Sequence, residues 1–316
     1  GQRMRIWGID GGGTKTDAVI CDEGGRVLRR TQGGPSNCSA RPMEQVLSTL
    51  TKTIRALTAG LSGADAAPDA IFAGISGAGV GDNAARIRAH LQALFPQCPC
   101  IQAGTDAKNA LRSAIPAGDG AIAIAGTGSG VFVFRGEEMQ QIGGWGYLLG
   151  DEGSGFDLGR RALKGALRAR DGRGPQTALT AACEQRLGKP VTQAIAQLYQ
   201  GGSAAIAGFA QVLLQEAAAG DALAVAEARA AAAELAGGIQ AAGRMLDTSP
   251  KAVATVGGLW QNPFYRSLIQ QALGAAYRLI APTLPPVYGS FVIAAGMAGA
   301  TVSPETEAAF RASLPM

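Results

Sequence analysis

Two acidic residues and three glycine-rich turns outline the chemistry that this chain could perform. Asp10 ends the run Met4-Arg5-Ile6-Trp7-Gly8-Ile9 and is followed at once by Gly11-Gly12-Gly13-Thr14-Lys15-Thr16-Asp17. Three successive positions without side chains let backbone N–H groups approach a ligand closely, and such nests favour anions. A carboxylate beside them could hold a metal ion that bridges to phosphate, and Thr14, Lys15 and Thr16 add donors. Taken alone, an ordinary glycine-rich hairpin explains these residues about as well. A second turn of the same design, Gly126-Thr127-Gly128-Ser129-Gly130, follows Ala121–Ala125 and returns through Val131–Phe134, and a third, Gly257-Gly258, ends Lys251–Val256. Asp106 closes a short apolar run just before a helix, where it could take a proton from a hydroxyl. The plain alternative for Asp106 is a helix N-cap.

The elements that would hold these residues follow from hydrophobic period and punctuation. Residues 4–10, 17–22 and 26–32 read as a three-strand meander, with helices over 41–60, 83–94 and 107–115 and strands over 69–75 and 100–103. The turn-rich Ile115–Gly120 is a break, after which the strand–turn–strand opening repeats at 121–134. Residues 154–170, 175–187, 191–199 and 203–219 are helical in pattern. An alanine-rich helix is expected over 221–246, loosened at Gly237-Gly238, and a strand over 251–256. Helices are expected over 263–279, 291–301 and 304–314. A meander followed by alternating helix and strand argues for mixed α/β sheets flanked by helices, and its repetition for two halves facing a shared cleft.

Composition bounds the function. With 316 residues, 47% of them hydrophobic and 16% charged, two globular domains with ample cores are expected. The net charge of +4 is mild and dispersed, so no nucleic-acid or membrane partner is expected, and Arg160-Arg161 reads as a solvated helix edge. No segment approaches 18 uninterrupted strongly apolar residues and none reads as a signal peptide, so a cytoplasmic protein is expected. The five cysteines contain no CxxC pair, and with one histidine a zinc site is not expected. His90 falls on a helix face, so a general base is expected to be a carboxylate. There is neither a GxxxxGK[ST] loop nor a GxGxxG turn leading from strand to helix.

Ile9-Asp10-Gly11-Gly12-Gly13-Thr14-Lys15-Thr16 resembles the first phosphate motif of the actin–Hsp70–sugar kinase superfamily. Ala125-Gly126-Thr127-Gly128-Ser129 resembles its second, and Val256-Gly257-Gly258 its adenosine motif. Gly143-Gly144-Trp145-Gly146 followed by Leu149-Gly150-Asp151-Glu152-Gly153-Ser154 is more specific. It resembles the N-acetylglucosamine kinase and glucosamine kinase branch, grouped with the BadF/BcrA-type activator ATPases. Pro35-Ser36-Asn37 and Thr105-Asp106-Ala107 also match the kinase pattern.

The resemblance implies two ribonuclease H-like (actin-like ATPase) domains with an interdomain cleft. The first would be residues 1–118, completed by a C-terminal helix at about 290–316, and the second 119–289. It implies ATP and Mg2+ as cofactors, with Asp10 toward the metal. Gly11, Gly12, Gly13, Thr14, Thr127, Gly128, Gly257 and Gly258 would meet the nucleotide, and Asp106 would be the catalytic base. Asn37, Ser129, Gly144, Trp145, Gly146 and Asp151 would form the substrate pocket, with Glu152 less secure. For Trp145 the plain alternative is core packing, and for Asp151 and Glu152 a helix N-terminus. The implied activity is transfer of the γ-phosphoryl of ATP to the 6-hydroxyl of an amino sugar by a homodimer. N-acetylglucosamine comes first, glucosamine second and N-acetylmuramic acid third. The rival from another class is an activator ATPase driving electron transfer in a partner protein, whose cysteine arrangement this chain lacks. A sugar-binding protein without catalysis is a third reading.

Overall fold

A computed structural model describes residues 3–315. The chain forms two compact units. One contains the chain up to Ala117 together with the segment from Pro282 onward, and the other is Gly118–Ala281. The return to the first unit at Pro282 comes before the crossing near residue 290 that the sequence suggests.

The first unit opens with β1 (Ile6–Gly11), β2 (Thr16–Cys21) and β3 (Val27–Gly33), then α1 (Met43–Leu57), β4 (Ala70–Ile75), α2 (Asn83–Leu94), β5 (Cys100–Gly104) and α3 (Asp106–Ala114). The sheet order is β3-β2-β1-β4-β5. β1 runs antiparallel to β2 and parallel to β4, which sets Asp10 opposite Gly74 and Gly11 opposite Thr16. β1 and β4 are apolar on both faces because helices cover both. On one face α1 lays the stripe Val46, Leu50, Ile54 and Leu57 over Trp7, Ile9 and Ile71. On the other, the aromatic cluster Tyr288, Phe291 and Phe310 packs with Ile6, Val19 and Phe72.

The second unit repeats the design. β6 (Gly120–Ala125), β7 (Ser129–Arg135) and β8 (Glu138–Ile142) form the meander. Then come α4 (Gly155–Arg170), α5 (Leu179–Leu187), α6 (Ile195–Ala207), α7 (Ala210–Ala218) and α8 (Ala222–Gly243), followed by β9 (Lys251–Val256), α9 (Pro263–Leu273) and β10 (Tyr277–Ile280). Its sheet order, β10-β9-β6-β7-β8, is that of the first unit read from the other edge, again with the first strand between an antiparallel second and a parallel fourth. Each unit therefore has ribonuclease H-like α/β topology. The chain closes with α10 (Pro286–Met297) and α11 (Pro304–Ser313), both in the first unit.

Two local expectations fail and one strand was not anticipated. The helix expected over 263–279 stops at Leu273, where Gly274 takes φ 79°, and Tyr277–Ile280 pairs parallel with Lys251–Ala254 instead. The strand at Glu138–Ile142 has no counterpart in the sequence reading. α8 runs through Gly237-Gly238 unbroken, with Val131 of β7 in ordinary contact range of Gly238.

Candidate active site

In the first unit the turn after β1 is closed by Gly12 N–H donating to the Lys15 carbonyl at 2.9 Å. Its glycines have different causes. A Cβ on Gly11 would run into Ser36 Oγ and Ile75, so packing alone excludes a side chain there. At Gly12 the nearest atom to a Cβ would be Lys15 O at 3.8 Å, and at Gly13 it would be Asn37 Nδ2 at 4.0 Å. Neither Gly12 nor Gly13 has a left-handed φ. Among the described residues nothing accounts for their lack of side chains, which is what a cradle for an anion would show. Thr14 and Lys15 are exposed. Thr16, expected as a further donor to a ligand, is instead fully buried. Its hydroxyl donates to the Gly34 carbonyl and lies 2.7 Å from Ser36 Oγ, holding the Pro35-Ser36-Asn37 segment beside the turn. Asn37 accepts from Ser39 N–H through its Oδ1 at 2.8 Å, which leaves its Nδ2 toward Gly13.

Asp10 and Asp106 lie on neighbouring elements of this unit. Thr105, not Asp106, caps α3: its hydroxyl oxygen accepts from Ala107 N–H at 3.3 Å, which removes the N-cap reading of Asp106. Burial holds the Asp106 carboxyl above the usual carboxylate range, against the lowering effect of hydrogen bonds from Thr105 and the first-turn N–H groups. Burial pushes Asp10 up to about 7, with the nearby Asp106 and Asp17 carboxylates adding to the rise and a hydrogen bond from Asn109 opposing it. Asn109 escaped the sequence reading, although its place one helical turn beyond Asp106 puts both on the same face of α3.

In the second unit, the turn after β6 is tied to the loop before α4. Gly126 N–H donates to the Gly128 carbonyl at 2.9 Å, Gly155 N–H to the Gly126 carbonyl at 2.7 Å and Phe156 N–H to the Thr127 carbonyl at 3.0 Å. Ser129 N–H donates to the Asp151 carboxylate at 3.3 Å and Ser129 Oγ to the Glu152 carbonyl at 2.7 Å. Asp151 is the one non-glycine residue with a left-handed φ, 58°, among the described residues. Its side chain is therefore aimed by a backbone conformation that Asp tolerates better than most residues. Behind it, Tyr265 donates to the Gly153 carbonyl at 2.6 Å, and Gly153 N–H donates to Asp157, which pairs with Arg161. Arg161 also pairs with Glu227, so of the two arginines expected at a solvated edge only Arg160 is exposed.

Gly144 and Gly146 have φ values of 73° and 86° and shape a loop that carries Trp145 outward. Trp145 is 61% exposed, which overturns the core-packing alternative. Gly144 lies against Gly130 and the Ser129 carbonyl, so the loop abuts the second turn. Gly257, at φ 109°, would place a Cβ on the Ala125 carbonyl, whereas Gly258 faces open space. A cavity of about 880 Å³ in this unit is walled by Tyr147–Gly150, α4 and α6, and takes in Glu152 but none of the expected substrate residues. The expected residues are thus gathered as Asp10, Gly11–Thr14, Asn37 and Asp106 in one unit, and as Thr127–Ser129, Gly144–Gly146, Asp151 and Gly257-Gly258 in the other.

Among the described residues no three His, Cys, Asp or Glu side chains converge as a metal cage. A single carboxylate such as Asp10 fits Mg2+, which is commonly held by one or two carboxylates together with phosphate oxygens and water.

Two ribonuclease H-like units, each with a glycine turn after its first strand, define an actin-like ATPase fold. Residues 7–294 match the BadF/BadG/BcrA/BcrD ATPase family, and the chain belongs to it. It is similar to an N-acetylmuramic acid/N-acetylglucosamine kinase from Clostridium acetobutylicum, 36% identical over 55% of this chain and 57% of that one. It is similar also to a glucosamine kinase from Vibrio cholerae, 33% identical over 54% of this chain and 58% of that one. The matched stretches thus span less than two thirds of either relative. Among solved structures, a proposed N-acetylglucosamine kinase from Chromobacterium violaceum superposes with a TM-score of 0.66 at 28% identity, over 93% of this chain and 99% of that one.

Proposed function

We propose that the chain is an ATP-dependent kinase that transfers the γ-phosphoryl group to the 6-hydroxyl of an amino sugar, with N-acetylglucosamine the first choice. The observation that carries this reading is the pairing, in one unit, of an unfilled glycine turn with two partly buried carboxylates, one of them freed from helix capping by Thr105. The relatives named as amino-sugar kinases support it. Asp106 takes the proton of the attacking hydroxyl, and its raised proton affinity suits that task better than an ordinary surface Asp would. Gly11, Gly12, Gly13 and Thr14 meet the β- and γ-phosphates from one unit, and Thr127 and Gly128 belong to the other unit's phosphate turn. Gly257 and Gly258 let backbone pass close to adenine. Asn37, Ser129, Gly144, Trp145, Gly146 and Asp151 orient the sugar, the carboxylate and amide bonding to its hydroxyls. Mg2+, when bound, neutralises charge on the phosphate oxygens, and Asp10 is the residue that would hold it.

In this reading the first unit is the N-terminal actin-like domain and the second the C-terminal one. A homodimer in the cytoplasm belongs to the same reading. Among the described residues no helix is long and apolar enough to cross a membrane. The test is coupled ADP release with N-acetylglucosamine, glucosamine and N-acetylmuramic acid side by side. Sugar-dependent ADP release identifies the substrate. ATP hydrolysis unaffected by any of the three would turn the assignment toward an activator ATPase, and no turnover at all would end it.

A further inference from the structure

Asn109 is fully buried on α3, one turn past Asp106. Its Nδ2 donates to Asp10 Oδ1 at 2.7 Å and to the Gly74 carbonyl at 3.1 Å. The orientation is determined, because turning the amide over would set its oxygen against two acceptors. Gly74, opposite Asp10 in the sheet, makes the room: a Cβ there would fall on the Asn109 amide itself. On the far side, the Asn109 carbonyl lies where a Cβ on Gly289 of α10 would stand, so those two helices touch backbone to backbone. Ser113, one turn further along α3, donates to the Pro285 carbonyl at 3.2 Å and accepts from Gly289 N–H at 3.0 Å. α3 is therefore pinned to α10 on one side and to β1 and β4 through Asn109 on the other.

Packing alone does not account for this amide. Asn109 Oδ1 is buried without a partner, a penalty that a leucine of similar volume would avoid. What an apolar residue could not supply is the hydrogen bond to Asp10. That bond occupies Oδ1 of the carboxylate, while Oδ2 accepts no hydrogen bond from the described residues.

We propose that Asn109 is a positioning residue that locks the Asp10 carboxylate in one orientation relative to Asp106, so that a single oxygen, Oδ2, is presented to the divalent cation. The inference rests on the reading of Asp10 as the residue toward the Mg2+–nucleotide. Removal of a hydrogen-bonding partner behind a metal ligand commonly costs 10–100-fold in metal affinity or activity.

The experiment is calorimetry of ADP binding with and without Mg2+ on the wild type and Asn109→Leu, beside steady-state kinetics. In the variant, metal-free ADP affinity stays within about twofold of wild type while the Mg2+-dependent gain in affinity falls at least tenfold. kcat falls by a similar factor with sugar KM little changed. A Mg2+-dependent gain that is the same in wild type and variant overturns the positioning role and leaves the kinase reading intact. No Mg2+ dependence in the wild type removes the Asp10–cation reading and this inference with it. Should Asn109→Leu not fold, as judged by circular dichroism, Asn109→Ala removes the donor without adding charge or bulk, and the same outcomes decide.

Discussion

The turn after β1 and the turn after β6 are built on the same strand pairing and are each tied to another loop, but the two loops carry different chemistry. Residues 12–15 bridge Gly11 and Thr16 and are held by the neighbouring 34–37 segment, through Ser36 N–H to the Gly12 carbonyl at 3.1 Å and the buried Thr16–Ser36 hydroxyl pair. Residues 126–128 bridge Ala125 and Ser129 and are supported by another loop, through Gly155, Phe156 and the Asp151 carboxylate. At Gly12 and Gly13 the first turn leaves the place of a Cβ open, with nothing nearer than 3.8 Å. The second cannot move without moving Asp151, since a Cβ on Gly128 would stand 3.1–3.3 Å from that carboxylate. The repeated design thus yields two glycine turns with different couplings: one beside a pair of partly buried carboxylates, the other locked to the loop that carries Asp151.

The sharpest test of this division is Asp106→Asn. The substitution keeps shape and removes the proton acceptor, so turnover should fall by about 10³-fold or more while sugar binding, measured by calorimetry, survives. Turnover within tenfold of wild type would move the base elsewhere and dissolve the contrast between a chemical unit and an orienting one.

The next effect is on stability against pH. Asp10 binds its proton more tightly in the folded chain, where it sits at about 7, than unfolded, at 3.8. The native state then holds more protons than the unfolded state between those values. The stabilisation is complete below about 4 and is lost as pH rises through about 7, by an amount on the order of 4 kcal/mol if no cation compensates. Denaturant unfolding in the presence of a chelator should show wild type losing stability relative to Asp10→Asn between pH 4.5 and 7.5. Parallel curves would show that Asp10 is already ionised and solvated. Asp10 belongs to the first unit, so this pH response reports on that unit's site.

Much of this arrangement was legible in the residues. Glycine turns between apolar strands identify themselves, and the repeat at 121–134 discloses the duplication. The edge strands did not show. Glu138-Met139-Gln140-Gln141-Ile142 has a mostly polar composition and becomes a strand only because β7 offers it partners. Tyr277–Ile280 continues the helical pattern of α9 until Gly274 and the free edge of β9 decide otherwise. At the site, Asp10 and Asp106 could be named from their places at strand ends. The bond that joins their elements could not, because it depends on Gly74 vacating space for an amide 35 residues away. Nor could the left-handed backbone of Asp151 or the exposure of Trp145, both of which are set by how the 143–154 loop closes on Ser129.

A smaller effect, about tenfold, separates the turns directly. Gly12→Ala adds a methyl that meets only Lys15 O at 3.8 Å, so the melting temperature should hold while the KM for ATP rises, because the added atoms occupy the open face of the nest. Gly128→Ala presses on the Asp151 carboxylate instead, which is held by Ser129 N–H and by its own left-handed backbone and cannot easily yield. Its main effect should therefore fall on the KM for the sugar. Steady-state kinetics with each substrate varied in turn decides between the two patterns. If both variants raise the KM for ATP alone, the second turn is a plain phosphate nest and its link to Asp151 serves only to hold the loop. If Gly128→Ala raises the sugar KM, residues 126–128 also set where the Asp151 carboxylate points.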